Sequence, residues 1–305
     1  MVEQPLRIRN YLSPKYWGTW LLLGIMRLIA LLPLSLIEKI GSGFGLLIYH
    51  TIPSRRRVAR INIKQAYPEY TEQQIKDLMK KSYVSLGISV FETGLAWWAD
   101  RNYLNKRCSV EGLEHLEAAL AKGNGVILLT GHFTTLEIGG ILMALYTPLN
   151  AIYKEAHNKM FNDFMVYYRG QHLEHVIANK DVRSFINGLK DGFATWYAPD
   201  QSTGGKNTVF TPFLGGVAST LTAASRITAI TQATIVPFYP VRLGKGKGYK
   251  LVIQEALESI PSGDTTKDAA KINLAIDKMV RQLPEQYAWI HRRFKHRPEG
   301  ESSIY

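Results

Sequence analysis

Residues Gly123–Leu145 read GNGVILLTGHFTTLEIGGILMAL, and the fold follows from how this stretch is parsed. Val126 to Leu129 is a continuous aliphatic run bounded by glycines, the pattern of a strand buried on both faces. Gly131 permits a sharp turn, and an apolar segment with helical spacing begins near Thr134. His132 falls where strand gives way to helix, with Glu137 five residues on. Five residues along a regular helix is about 500°, so the two side chains meet only if His132 is still in the turn. In an α/β sheet this place is the carboxyl end of a strand, where such folds bind ligands. Two readings stand open. Either His132 and Glu137 are a base and its partner, or Thr134-Thr135-Leu136-Glu137 is a capping box and His132 a hydrogen-bonded turn residue.

Outward from this stretch, Cys108–Val110, Val126–Thr130 and Asn150–Tyr153 alternate with helical segments. That rhythm predicts an α/β fold with a mostly parallel sheet flanked by helices. Ala194–Pro199 is a further buried strand, and Asp200 emerges at its carboxyl end. Phe161–Arg169 reads as a helix closed by Arg169. Thr71 and Gln74 form a capping box for a long helix reaching Trp98. Ala218–Ile230 reads as a small-residue helix, Thr234–Val241 as a strand, Leu243–Tyr249 as a hairpin turn and Thr265–Leu283 as a polar-faced helix. There is no internal repeat and no linker-like stretch.

The N-terminal region has a different character. Tyr16–Ile37, YWGTWLLLGIMRLIALLPLSLI, carries one charge, Arg27. As one helix it would span about 33 Å, enough for a hydrocarbon core of about 30 Å. The expectation is therefore an N-terminal apolar membrane helix, with residues 1–38 as anchor and 39–305 as the catalytic domain. Trp17 and Trp20 would lie at interface level. Arg27 and Pro33 leave a second option, a helix lying within one leaflet. Arg55, Arg56, Arg57, Arg60 and Lys64 follow a second apolar piece, Gly41–Ile52; the positive-inside tendency would place that side in the cytoplasm, and the same cluster could equally touch anionic head groups.

Lys and Arg total 37 against 25 Asp and Glu, a net charge of +12. That balance calls for an acidic partner: nucleic acid, an anionic membrane, a phosphorylated substrate or an acidic protein. No nucleic-acid-binding signature accompanies it. Cys108 is the sole cysteine, which excludes a disulfide framework and a thiolate zinc site. His172 and His175 stand at metal-ligand spacing without a third ligand nearby, so no metal or other cofactor is expected. There is no G-x-S-x-G elbow, so a serine acyl-enzyme is disfavoured against direct transfer.

Several blocks together carry a resemblance: Gly131-His132 with Glu137, Tyr197-Ala198-Pro199-Asp200, FTPFLG at 210–215, and PEQYAWIHRRFK from Pro284 to Lys295. With the N-terminal apolar segment and the closing RPEG, they make nearly the whole chain similar to the late acyltransferases of lipid A biosynthesis. The resemblance implies a glycerolipid-acyltransferase-like fold and a bacterial inner-membrane enzyme with its catalytic domain on the cytoplasmic face. It implies acyl carrier protein as donor of a lauroyl chain first, with myristoyl or palmitoleoyl as alternatives. The acceptor would be a 3-hydroxyacyl hydroxyl of Kdo(2)-lipid IV(A). His132 and Glu137 would be catalytic, the base and the group orienting it. Arg169 and Asp200 would bind substrate or the oxyanion, or pair with each other. The alternative within enzymes is a glycerolipid (lysophospholipid) acyltransferase.

Overall fold

The computed structural model describes residues 6–305. Met1–Pro5, part of the basic leader and of the expected anchor, lie outside the described residues.

The apolar stretch Tyr16–Ile37 is not one helix. α1 (Trp17–Ile29) is 13 residues, about 20 Å long. The chain then turns, and Pro33 begins α2 (Leu34–Thr51), whose first turn donates to the Pro33 carbonyl from Leu36 and Ile37. Pro33 has no N–H to continue α1, and it pushes Leu32 towards extended backbone, so the helix ends. Among the described residues no helix is long and apolar enough to cross a membrane, which overturns the expected single-pass helix. Arg27 explains part of the difference. It donates to the Trp98 carbonyl and lies over the Trp98 ring, so α1 is tied to the protein.

α2 continues past position 38 and packs on the long α4 (Glu72–Trp98), after the basic α3 (Pro53–Ala66). Gly45 and Gly87 permit this contact: a Cβ on Gly45 would stand 2.1 Å from the Tyr83 carbonyl oxygen. The expected capping box of Thr71 and Gln74 is formed. The short α5 (Arg101–Asn105) leads into the sheet.

The strands β1 (Cys108–Glu111), β2 (Val126–Leu129), β3 (Leu149–Tyr153), β4 (Val176–Ala178) and β5 (Ala194–Tyr197) come in sequence. Between them run α6 (Leu113–Leu120), α7 (Leu136–Met143), α8 (Lys159–Arg169) and α9 (Val182–Lys190). A separate antiparallel hairpin, β6 (Thr208–Phe213) and β7 (Gly216–Leu221), precedes α10 (Ala223–Thr231). β8 (Thr234–Arg242), β9 (Tyr249–Ile253) and α11 (Thr265–Gln282) complete the order. The seven-stranded sheet runs β1-β9-β8-β2-β5-β3-β4 and is parallel except where β8 meets β9. The expected helix from Ala218 starts late, because Gly216–Leu221 pairs with β6 instead.

β2 is central and wholly buried, as its sequence demands. Ile127 and Leu129 face one half of the core with α9, α10 and α11, while Val126 and Leu128 face the other with α1, α4 and α7. Both faces of the sheet are therefore covered, and the open working surface is the edge where β2 and β5 end.

Candidate active site

β2 and β5 are parallel neighbours with Leu129 opposite Tyr197. His132 and Asp200 each lie three residues beyond that pair, so the register delivers them to the same level of the sheet edge. Gly131 lets them close up, since a Cβ there would meet an Asp200 oxygen at 3.3 Å and an Ile276 methyl at 3.0 Å. Asp200 Oδ1 lies 2.5 Å from His132 Nδ1, and Oδ2 accepts the His132 backbone N–H at 2.8 Å. The Tyr287 hydroxyl donates to the same Oδ2 at 2.8 Å.

Burial opposes ionisation of Asp200, but the His132 ring, the His132 N–H and the Tyr287 hydroxyl outweigh it and hold the carboxyl well below the usual range. An ionised Asp200 only accepts, so Nδ1 of His132 carries the proton and Nε2 of the neutral ring bears the lone pair. The Asp200 side chain is 1% exposed and that of His132 24%, so the imidazole is open to solvent and its carboxylate partner is not. This is the arrangement of a general base held in one tautomer.

Glu137 does not take part in it. The carboxylate forms a bidentate pair with Arg169 at the end of α8, and Oε1 accepts the Trp97 indole N–H at 2.7 Å. Burial would raise the Glu137 carboxyl, but Arg169 and Trp97 pull it below its ordinary value, and Glu137 in turn raises Arg169. Nor does Glu137 cap its helix, whose N-cap Thr135 makes no side-chain cap bond. So of the four residues singled out from the sequence, the structure joins His132 to Asp200 and Glu137 to Arg169. The expected bond between His132 and Glu137 is absent among the described residues, and Arg169 does not pair with Asp200.

The turn bearing His132 is braced from both sides. Thr134 Oγ1 is 2.6 Å from Ser85 Oγ of α4, and Arg242 donates to that same Ser85 while pairing with the buried Glu92. On the other side the C-terminal segment lies along it: Ala288 N–H donates to the His132 carbonyl and Thr134 N–H to that of Gln286. Tyr287 and His291 reach the site by this route; sequence reasoning missed both, although each lies within the PEQYAWIHRRFK block. Arg293, in the same block, is buried and donates to the Ser219 carbonyl and Thr220 Oγ1, while Arg292 and Lys295 are exposed.

Cys108 is no alternative nucleophile, since burial pushes its thiol up to about 11. No group of three or more His, Cys, Asp or Glu placed to hold a metal ion occurs among the described residues.

Residues 5–296 match the family described as bacterial lipid A biosynthesis acyltransferase. The chain is 35% identical to the lipid A biosynthesis lauroyltransferase of Escherichia coli (strain K12), with all of both chains covered. It is 34% identical to the palmitoleoyltransferase of the same organism over 97% of each chain. The myristoyltransferase of that organism is 25% identical over 97% of this chain and 93% of its own.

Proposed function

This chain belongs to the bacterial lipid A biosynthesis acyltransferases and is an acyltransferase, and from that premise we propose that it moves a lauroyl chain from acyl carrier protein to a 3-hydroxyacyl hydroxyl of Kdo(2)-lipid IV(A). The observation that carries the reading is the His132–Asp200 pair at the shared end of β2 and β5. His132 Nε2 takes the hydroxyl proton, and the freed oxygen attacks the thioester carbon. Asp200 keeps the ring in the required tautomer and stabilises the imidazolium. The tetrahedral adduct collapses with loss of thiolate, which recovers the proton from His132. No acyl-enzyme is needed, in keeping with the absence of a nucleophile elbow. General base catalysis of this kind is worth roughly 10²–10⁴-fold.

Glu137 and Arg169 serve the site as a substrate-positioning pair. Glu137 engages Nε and Nη2 of Arg169, leaving Nη1 free to hold an anionic or carbonyl oxygen of substrate. Membrane lipids are met through α1. Trp17, Leu21, Ile25 and Leu28 stand at i, i+4, i+8 and i+11 and are all exposed, an apolar stripe suited to lie in the interface of the inner membrane on its cytoplasmic side. The net charge of +12 suits an acidic carrier protein and a phosphorylated acceptor.

The test is an assay of purified enzyme with lauroyl, myristoyl and palmitoleoyl carrier-protein thioesters, each offered Kdo(2)-lipid IV(A) or lysophospholipid. Fastest lauroyl transfer to the lipid A precursor is expected. Transfer to lysophospholipid alone would replace this reading with the glycerolipid one.

A further inference from the structure

His291 lies against the base. The two ring centroids are 5.5 Å apart with planes inclined at 70°. Its backbone is fixed: Asn62 Nδ2 donates to the carbonyls of Trp289 and His291, each at 2.7 Å, and Arg55 reaches the Ile290 carbonyl. The segment before it is bonded to the His132 carbonyl through the Ala288 N–H. Two histidines are thus held edge to face from opposite directions, one by a carboxylate and one by the C-terminal backbone. Neither His291 ring nitrogen has a hydrogen-bond partner among the described residues, nor does His132 Nε2. An imidazole with both nitrogens unpartnered therefore packs edge to face against a second imidazole whose Nε2 is likewise unpartnered.

The charge state suits a donor. Burial, then the neighbouring His132 and Arg55, lower the His291 ring to about 4, with Asp200 opposing. At neutral pH the ring is therefore uncharged, with one N–H to offer and no claim on the proton that His132 must take.

We propose that His291 is the second catalytic imidazole of this site, donating a ring N–H to the thioester carbonyl oxygen as that oxygen becomes negative. The proposal rests on His132 being the base. As the hydroxyl oxygen bonds to the acyl carbon, its proton passes to His132 and the carbonyl π pair moves to the oxygen facing His291. When the C–S bond breaks, that pair re-forms the carbonyl and the thiolate takes the proton from His132. His291 returns unchanged. Its backbone is anchored and its ring packed against His132 before substrate arrives, the kind of preorganisation that favours stabilisation of a developing oxyanion.

The experiment compares wild type, His291→Ala, His291→Gln and His132→Ala, with purified enzyme, lauroyl carrier-protein thioester and Kdo(2)-lipid IV(A). His291→Ala should lower kcat about 10²–10³-fold, the usual cost of one oxyanion donor, with donor KM within about threefold. His291→Gln, which keeps an amide N–H, should recover at least tenfold of the loss. Melting curves for both should stay near wild type. A folded His291→Ala with kcat within threefold of wild type overturns the proposal. So does a glutamine variant as inactive as alanine, or a loss of kcat in both that follows the melting temperature. If alanine does not fold, the glutamine variant decides through the same kcat and KM split. Wild-type turnover in His132→Ala would instead remove the base assignment, whatever His291 does.

Discussion

Asp200 holds His132 at two points, the ring through Oδ1 and the backbone N–H through Oδ2. One carboxylate therefore sets both the orientation of the imidazole and the turn from which it projects. Because the pair comes from adjacent parallel strands, its geometry depends on strand register, and a shift of one residue in β2 would separate it.

Asp200→Asn retains the shape of the carboxylate but removes its charge and can reverse the ring tautomer. We expect kcat to fall about 10²–10⁴-fold with substrate KM little changed. His132→Ala should lose at least two orders of magnitude. Steady-state kinetics beside circular dichroism melting checks both, and near-normal turnover in a folded His132→Ala removes this residue from the chemistry.

Glu137→Gln leaves Arg169 buried without its counter-charge. Breaking one side of such a pair costs about 3 kcal/mol, so the variant should melt well below wild type. Arg169→Met in the same chain should restore much of that stability. A double-mutant cycle by denaturant unfolding measures the coupling, and additive effects would mean that the pair is not cooperative.

His291 contributes to the pH dependence of stability. Its folded value of about 4 lies below the ordinary 6.5, so the unfolded chain takes up a proton first as pH falls. Stability from this residue is complete above about 6.5 and is lost as pH falls towards 4. Urea unfolding of wild type and His291→Gln at pH 7 and pH 5 should show wild type losing roughly 1–2 kcal/mol more. Parallel losses would mean the ring is not held uncharged by its surroundings.

The closing basic cluster divides by burial. Reversing the exposed Arg292 and Lys295 should raise donor KM more than it lowers kcat, and should weaken the salt dependence of KM. Arg293→Glu should instead reduce thermal stability, since Arg293 supports β7 from inside and stacks over Phe213. An unchanged donor KM in the stable double variant would place carrier-protein docking elsewhere.

Replacing Leu21 and Leu28 by glutamate should shift protein from the membrane pellet to the supernatant without lowering the melting temperature, because both side chains are 67% exposed. Unchanged sedimentation would assign membrane contact to another surface.

β1, β2, β3, β5 and β8 were legible, the central ones because buried parallel strands leave an unbroken aliphatic signature, as in Val126–Leu129, whereas β4 and β9 were not anticipated as strands. Tyr16–Ile37 was not legible, since hydropathy averages over a break that Pro33 alone announces. β7 was misread because Gly216–Leu221 is rich in small residues and its partner β6 is what makes it a strand. All four candidate polar residues stood out in the sequence, but their pairing did not. His132 and Asp200 are 68 positions apart, and Glu137 and Arg169 are 32 apart, so only strand order and helix packing decide which carboxylate meets which cation. Tyr287 and His291 were hidden for the same reason: they reach the site by running alongside it after the sheet is complete.

That path sets a timetable for the enzyme's own synthesis. The residues that finish the turn around His132, from Gln286 to His291, are translated more than 150 positions after it. A ribosome-bound chain can have made every strand of the sheet and still lack Tyr287 at Asp200 and the Ala288 bond to His132. Closure of these distant contacts is the slow kind of step. These contacts therefore close only after every strand of the sheet has been made, and a chain truncated before Pro284 would have nothing to hold the His132 turn from the C-terminal side.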